Sequence, residues 1–446
     1  MRRRGPLVAV LLLYLSCAGL WYLTLPPIEG PDENGHYDYV RYLATFRRLP
    51  SDIPPPGWNP NCWWHPPLYY AAVAPLLVAV GAEETRIVTP VFNESRQLFG
   101  YYRVFLFDGP ITPPIQALYW LRLASVGFGL GTVWLAFLAL EQLLDSARQA
   151  ALATAGLVFV PQFTSLSVSV SNDTLVTFLS ALAVVLLLRF MRGEATVRAA
   201  LTCGLVVGLA IVTKLNAIYL VPMTAGGMAF CCRRPRAVGA HLFACGIGVA
   251  LTSGWYFVRN WVTFGDPLGT AFKLRVIGSP QVQAQTHQWF DPYFVTVFPR
   301  EVLSTFWARF GWVAIPASGP IMIFYAGVTL LLFVAIGLYL FRTIGRSGVP
   351  SRERQVAATL FTGVTFAVVM FVSLNLAWFS AQSRLLYPAL VPTLALAALG
   401  VRSLAREARR WVPRRAIAVL ASLWLVAMAT AWLLTWRWAL LALFAV

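Results

Sequence analysis

Acidic side chains are scarce in this chain: 446 residues carry 18 Asp and Glu against 35 Lys and Arg, a formal net charge of +17. Charged residues of both signs reach only 12% and apolar residues 58%, at a mean hydropathy of +0.67, whereas soluble domains carry roughly 25% charge. That shortage excludes an ordinary soluble domain and points to a polytopic membrane protein. The positive excess raises nucleic acid as a partner, but the basic residues stand in short clusters between apolar runs. The positive-inside rule accounts for them, and no nucleic acid is expected. Cysteine is sparse too. Of six, Cys62 alone falls in a long outer loop, Cys17, Cys203 and Cys245 lie in apolar runs, and Cys231 and Cys232 sit at an inner end, so an outer disulfide is not expected. Neither an internal repeat of the transporter kind nor a separate soluble domain is visible, and residues 1–446 read as a single polytopic membrane domain.

What is present is a series of apolar runs. Arg2 to Arg4 precede a run to Leu25 that is long enough to span, and Leu15-Ser16-Cys17 is a poor lipoprotein cleavage site, so the run reads as a first span and not as a leader. With those arginines inside, about eleven transmembrane helices follow, near 7–25, 117–140, 150–166, 173–190, 198–213, 216–230, 238–258, 319–341, 356–378, 385–401 and 415–436. Arginine clusters then fall on inner connections and nearly all acids outside. The expected class is an all-α integral membrane protein with amphipathic interfacial helices in a long first outer loop, 26–116, and a second long outer loop, 259–318, both rich in Pro, Trp and Tyr. Segment 66–81 is apolar but short, and reads as a re-entrant or surface helix.

The rare acids concentrate just after the first run. PPIEGPDENGHYDYV places Glu29, Asp32, Glu33, His36 and Asp38 within ten residues. Gly30-Pro31 reads as a helix start, with Pro31 first and Asp32 and Glu33 in the first turn, where the helix dipole favours negative charge. Continued to about Arg48, such a helix carries Asn34, Asp38, Arg41, Thr45 and Arg48 on one face and His36, Tyr39, Val40, Leu43 and Phe46 on the other, as expected of a helix lying in the interface plane. Asp32, one turn before His36, is a candidate acid/base group. The plain alternative is a solvated helix start.

Further polar groups sit where runs meet the outer surface. Ser171-Asn172-Asp173 reads as a helix cap. Lys214 and Asn216 read as a hairpin turn with a snorkelling lysine, Arg259 and Asn260 as an interfacial anchor, and His65 as a structural histidine before Pro66-Pro67. Arg384, in a short outer loop, runs against the charge rule. Taken together, Lys214, Arg259, Arg384 and His65 would form a phosphate site opposite a carboxylate.

These residues resemble a known group, the polytopic C-type glycosyltransferases (GT-C), in their bacterial protein-mannosyltransferase-like, family 39-like branch. PDENGH resembles the acidic first-loop motif and HPPLYY the proline-rich segment after it. PQFTSLSVSVSNDTL, TKLNAIYLVP, YFVRNWVTFGDPLG, FWARFGWVAIP and QSRLLYPALVP are similar to later segments, in the same order, over residues 1 to about 400. The resemblance implies that Asp32 is the catalytic base with Glu33 beside it and that a polyprenyl-phosphate-linked sugar is the donor; His36, His65, Lys214, Arg259, Asn260 and Arg384 are the residues expected to contact substrate. It departs at His65, where some relatives have lysine, and at Gly35, where some have arginine. The expected reaction moves a monosaccharide to a hydroxyl of a glycan, lipid or protein with inversion, at the outer face of a bacterial cytoplasmic membrane. No cofactor is required by the pattern. The acids and His36 could hold a divalent metal, but no spacing demands one. The rival readings are a lipid or polysaccharide transporter or flippase, which predicts charge at mid-membrane depth, and a noncatalytic envelope-assembly subunit.

Overall fold

The computed structural model describes residues 4–52, 57–83, 87, 111–232, 234–277, 291–344, 351–377 and 380–444. Glu84, Glu94, Asp108, Arg233 and Arg346 lie outside them. In chain order the helices are α1 (Arg4–Thr24), α2 (Glu33–Phe46), α3 (Leu68–Ala79), α4 (Pro113–Leu144), α5 (Ala147–Val158), α6 (Pro161–Leu166), α7 (Asn172–Met191), α8 (Val197–Ile211), α9 (Leu220–Cys231), α10 (Pro235–Phe264), α11 (Thr270–Ile277), α12 (Pro292–Thr296), α13 (Phe298–Trp307), α14 (Gly319–Ile344), α15 (Ser351–Ala377), α16 (Leu390–Ala408) and α17 (Arg414–Phe444). Short 3-10 segments, Leu215–Tyr219 and Ser383–Ala389, lead into α9 and α16, and strands β1 (Arg309–Phe310) and β2 (Ile315–Pro316) form an antiparallel hairpin after α13.

Eight helical segments among the described residues are long and apolar enough to cross a membrane. They fall on eight of the eleven expected spans. The other three take shorter forms. The run at 150–166 breaks into α5 and α6 because Pro161 lacks an amide donor and Val160 before it is extended, with φ −85° and ψ 104°. The runs at 198–213 and 216–230 become α8, with 15 residues, and α9, with 12, below the roughly 20 residues that a perpendicular crossing needs. Segment 66–81 is α3, also 12 residues, in keeping with a helix that does not cross on its own.

The helix α7 is enclosed, while α10, α14 and α17 turn large apolar side chains outward, among them Phe243, Val262, Ile323, Phe341 and Leu423. In a membrane these face lipid, which satisfies no backbone group and so demands the helical hydrogen bonding seen here. Within the bundle α8 and α10 touch backbone to backbone: a methyl group on Gly204 or Gly248 would collide with the carbonyl of Cys245 or of Leu201, the small-residue contact that lets membrane helices approach closely.

The two ends of the bundle differ. One carries the end of α1 and the starts of α4, α7 and α16, with Asp32, Asp173, Lys214 and Arg384. At the other, Arg192 pairs with Asp145 at 3.0 Å, Arg342 pairs with Glu407, and Arg402 donates to Leu143 O at 3.0 Å. Each of these arginines is met by an acid or by a backbone carbonyl.

One expectation for the first loop changes. α2 begins at Glu33, not Pro31, and Asp32 stands before it in a left-handed conformation, φ 57° and ψ 16°, making no side-chain cap. Nor is α2 half solvated. Asp38 and Arg41 of its polar face are buried with His36, Tyr39 and Val40 of the other, because residues 57–65 fold over it. Asn59 N donates to Asp38 Oδ2 at 2.7 Å, Arg41 pairs with Asp38 at 3.1 Å, and the Arg41 guanidinium lies 3.7 Å from the centre of the Trp58 ring.

Candidate active site

The turn that delivers Asp32 contains two left-handed non-glycine residues, Ile28 at φ 68° and Asp32 at φ 57°. Aspartate tolerates that region better than most residues. A buried frame underneath holds the turn in place. Arg122 of α4 donates from Nε to Glu33 Oε1 at 2.9 Å and from Nη2 to Oε2 at 2.7 Å, and caps the carbonyls of Leu25 and Pro26 at 2.8 Å each. Glu33 also accepts from Val170 N at 2.9 Å and Gly30 N at 3.3 Å. With both carboxylate oxygens engaged and no exposure, Glu33 ties α1, α2, α4 and the α6–α7 link together.

Asp32 instead points to a chain of alternating charge. It pairs with Arg384; Arg384 Nη1 lies 3.5 Å from Asp173 Oδ2, and Lys214 Nζ lies 2.6 Å from Asp173 Oδ1. Each member sits where a helix starts or stops. Lys214 is extended between α8 and the following 3-10 segment, Arg384 opens the segment before α16, and Asp173 lies in the first turn of α7, where the dipole favours it. Ser171, not Asp173, is the cap residue, its hydroxyl accepting from Asp173 N at 3.2 Å. The Asp32 side chain is 30% exposed against 11% for Arg384, 12% for Lys214 and none for Asp173. It is the carboxylate of this chain that a second molecule can reach. Burial acts to raise its pKa, but Arg384, His36 and Lys214 outweigh burial and hold it below the usual carboxylate range.

His36 and His65 stand together, ring centres 5.8 Å apart, and the Tyr70 hydroxyl lies 2.8 Å from His36 Nδ1 and 3.1 Å from His65 Nδ1. Burial drives the His36 imidazole down to about 3, with Asp32 opposing and Lys214 and Arg384 assisting, and it lowers His65 as well. Burial thus favours the neutral form of the His65 ring. Because the unfolded imidazole titrates near 6.5, the unfolded chain binds more protons below that pH. Folding stability should then fall as pH is lowered from 6.5 towards 3, by up to about 1.4 kcal/mol per pH unit from His36. Thermal unfolding of the detergent-solubilised protein measures this, and a slope unaltered in His36→Gln would contradict it.

Arg259 and Asn260 do not join the charged chain. The Arg259 guanidinium bonds Pro50 O and, at 3.1 Å, Asn260 Oδ1, while Asn260 Nδ2 donates to Pro267 O at 3.2 Å. They line a small cavity with Tyr39, Trp64, His65 and Tyr256. Three groups important to this site were not picked out from the sequence: Asp173, Arg122 and Tyr70. Asp173 was visible but reads as a cap, and Arg122 is a single arginine in an apolar run.

With this geometry in hand, two solved structures share the fold. The chain superposes on ArnT from Cupriavidus metallidurans bound to undecaprenyl phosphate with a TM-score of 0.52 at 16% identity, over 97% of this chain and 74% of that one. It superposes on the oligosaccharyltransferase AglB from Archaeoglobus fulgidus, in complex with an inhibitory peptide and a dolichol-phosphate, with a TM-score of 0.53 at 13% identity, over 98% of this chain and 56% of that one. Residues 81–231 match the family model described as dolichyl-phosphate-mannose-protein mannosyltransferase. No curated protein matches it by sequence.

Proposed function

We propose that the chain is an integral membrane glycosyltransferase that moves a monosaccharide from a polyprenyl-phosphate donor to a hydroxyl of a glycan, lipid or protein acceptor, with inversion, at the membrane face opposite the arginine clusters. The carrying observation is the partly open Asp32 beside Arg384, with Lys214 one acid further on. Support comes from the description of the matching family model and from the lipid phosphates bound in the two similar structures.

In this reading the donor phosphate enters between Arg384 and Lys214. Asp32 takes the proton of the acceptor hydroxyl, the acceptor oxygen attacks the anomeric carbon from the side opposite the phosphate, and the carbon–oxygen bond to phosphate breaks with its electron pair on the phosphate oxygen. Two cations already in place stabilise that charge without reorganising. The free enzyme holds Asp32 as a weak base; a phosphate that draws Arg384 away from it would strengthen the base only once donor is bound. This geometry supports the roles given to Asp32, Lys214 and Arg384, with Glu33 as a positioning residue.

The test is transfer of labelled sugar by the purified protein in vesicles loaded with polyprenyl-phosphate donor. Passage of intact donor across the bilayer without a new glycoside would favour transport instead. Arg384→Ala should weaken donor binding by about 2–5 kcal/mol, the cost of leaving a buried charge without its partner, and Arg259→Ala should change it less. Equal donor affinity in Arg384→Ala and the parent would return Arg384 to a structural role.

A further inference from the structure

We propose that His36, Cys62 and His65 form a binding site for one zinc-type divalent cation, three protein ligands with a fourth position left open. The inference concerns the region of the proposed active site but stands on donor geometry alone. One ligand atom from each of the three residues lies within 4.8 Å of the others. Bonds of about 2.0–2.3 Å to nitrogen and sulfur require tetrahedral donor separations somewhat below that, so the site closes by roughly an ångström of side-chain movement.

Three features bring these donors together. Gly35 has no room for a side chain, since a methyl there would strike the Asn61 carbonyl, and this close approach seats the 59–62 loop beside His36. Cys62 is held at φ 87°, a conformation rare outside glycine; a residue kept in such a region by its surroundings often has a role there. Its amide turn, with His65 N donating to Cys62 O at 2.9 Å, sets the thiol and the His65 ring on one side of a Cys-Trp-Trp-His turn. The third ligand then comes from a different element, α2. Tyr70 touches both rings at Nδ1, the outer contact that fixes the orientation of metal-binding histidines.

The donor set selects the metal. Two imidazoles and a thiolate favour zinc or a softer ion over magnesium or manganese, which prefer oxygen. Asp32 and Asp173, the oxygen donors at hand, are engaged by Arg384 and Lys214. Binding would deprotonate the Cys62 thiol, which burial otherwise keeps protonated.

The experiment uses the full chain, purified in detergent without chelator. Elemental analysis should find about one zinc per chain, and replacement with Co²⁺ should give the near-ultraviolet thiolate-to-cobalt band of a tetrahedral site. The band should vanish in Cys62→Ser, and zinc content should drop in His65→Gln. Tyr70→Phe should weaken zinc binding by about 10- to 100-fold. Absence of both retained zinc and a thiolate band on Co²⁺ titration of the parent protein would overturn the site, whether or not the variants fold. Full zinc content in folded Cys62→Ser and His65→Gln would do so too. None of these measurements needs sugar transfer, so failure here and failure of the transferase reading remain distinguishable.

Discussion

Asp32→Asn is expected to fold, insert and bind donor as the parent chain does, and to lose two to four orders of magnitude in sugar transfer, the range for removal of a positioned general base. The substitution is well matched to the backbone. Asparagine accepts the left-handed conformation at φ 57° as readily as aspartate, and its amide oxygen can still accept from Arg384. What it cannot do is take the acceptor's proton. The low pKa of Asp32 adds a signature: kcat/KM should stay level from neutral into mildly acidic pH and fall only below the usual carboxylate range, where Asp32 at last protonates. Transfer of labelled sugar from purified donor, read with donor binding in the same preparations, is the measurement. Undiminished transfer would remove Asp32 from the chemistry.

A different kind of loss is expected at Glu33 and Arg122. Removing either partner of this fully buried pair leaves a charge in the protein interior, and such truncations are worth about 3–5 kcal/mol of stability. Arg122→Ala should therefore reduce the yield of folded protein and lower its unfolding temperature more than any change at Asp32, Lys214 or Arg384. Arg122→Met combined with Glu33→Leu should recover much of that stability, because it removes both charges together. If Arg122→Ala unfolds at the parent temperature, the pair is not what holds the turn. Glu33→Gln is informative in the same way: loss of stability with transfer per folded molecule kept would mark Glu33 as a residue that positions its neighbour.

Much of this was legible in the sequence because the sequence is so poor in charge. In a chain with 18 acids, the crowd at 29–38 stands out, and Lys214 and Arg384 are conspicuous where the charge rule expects none. The structure joins both to the Asp32 neighbourhood. Spacing along a helix tells which residues share a face but not what folds over that face, so α2 looked half solvated until residues 57–65 covered it. Asp173 was hidden by a sound local explanation, since Ser-Asn-Asp before an apolar run is a capping pattern; only the approach of Lys214 and of Arg384, more than 200 residues away, gives it another partner. Arg259 looked like Arg384 from the sequence, as a cation beside an outer loop. Its side chain turns to the Pro50 carbonyl and the Phe264 ring instead.

The bare contact between α8 and α10 bears on spacing within the site. Lys214 lies three residues beyond the end of α8, and Tyr256, Arg259 and Asn260 occupy the last turns of α10. Because the two backbones meet at Gly204 and Gly248 with no side chain between them, neither helix can slide or tilt alone without driving a carbonyl into its neighbour. The pair therefore behaves as a fixed gauge: the separation between the cation beside Asp173 and the cavity lined by His65 and Arg259 is set midway along the two helices, where hydrogen atoms on glycine leave no slack. Changes to bulkier residues at those glycines would alter the reach of the site from a distance, with every polar group at the surface left untouched.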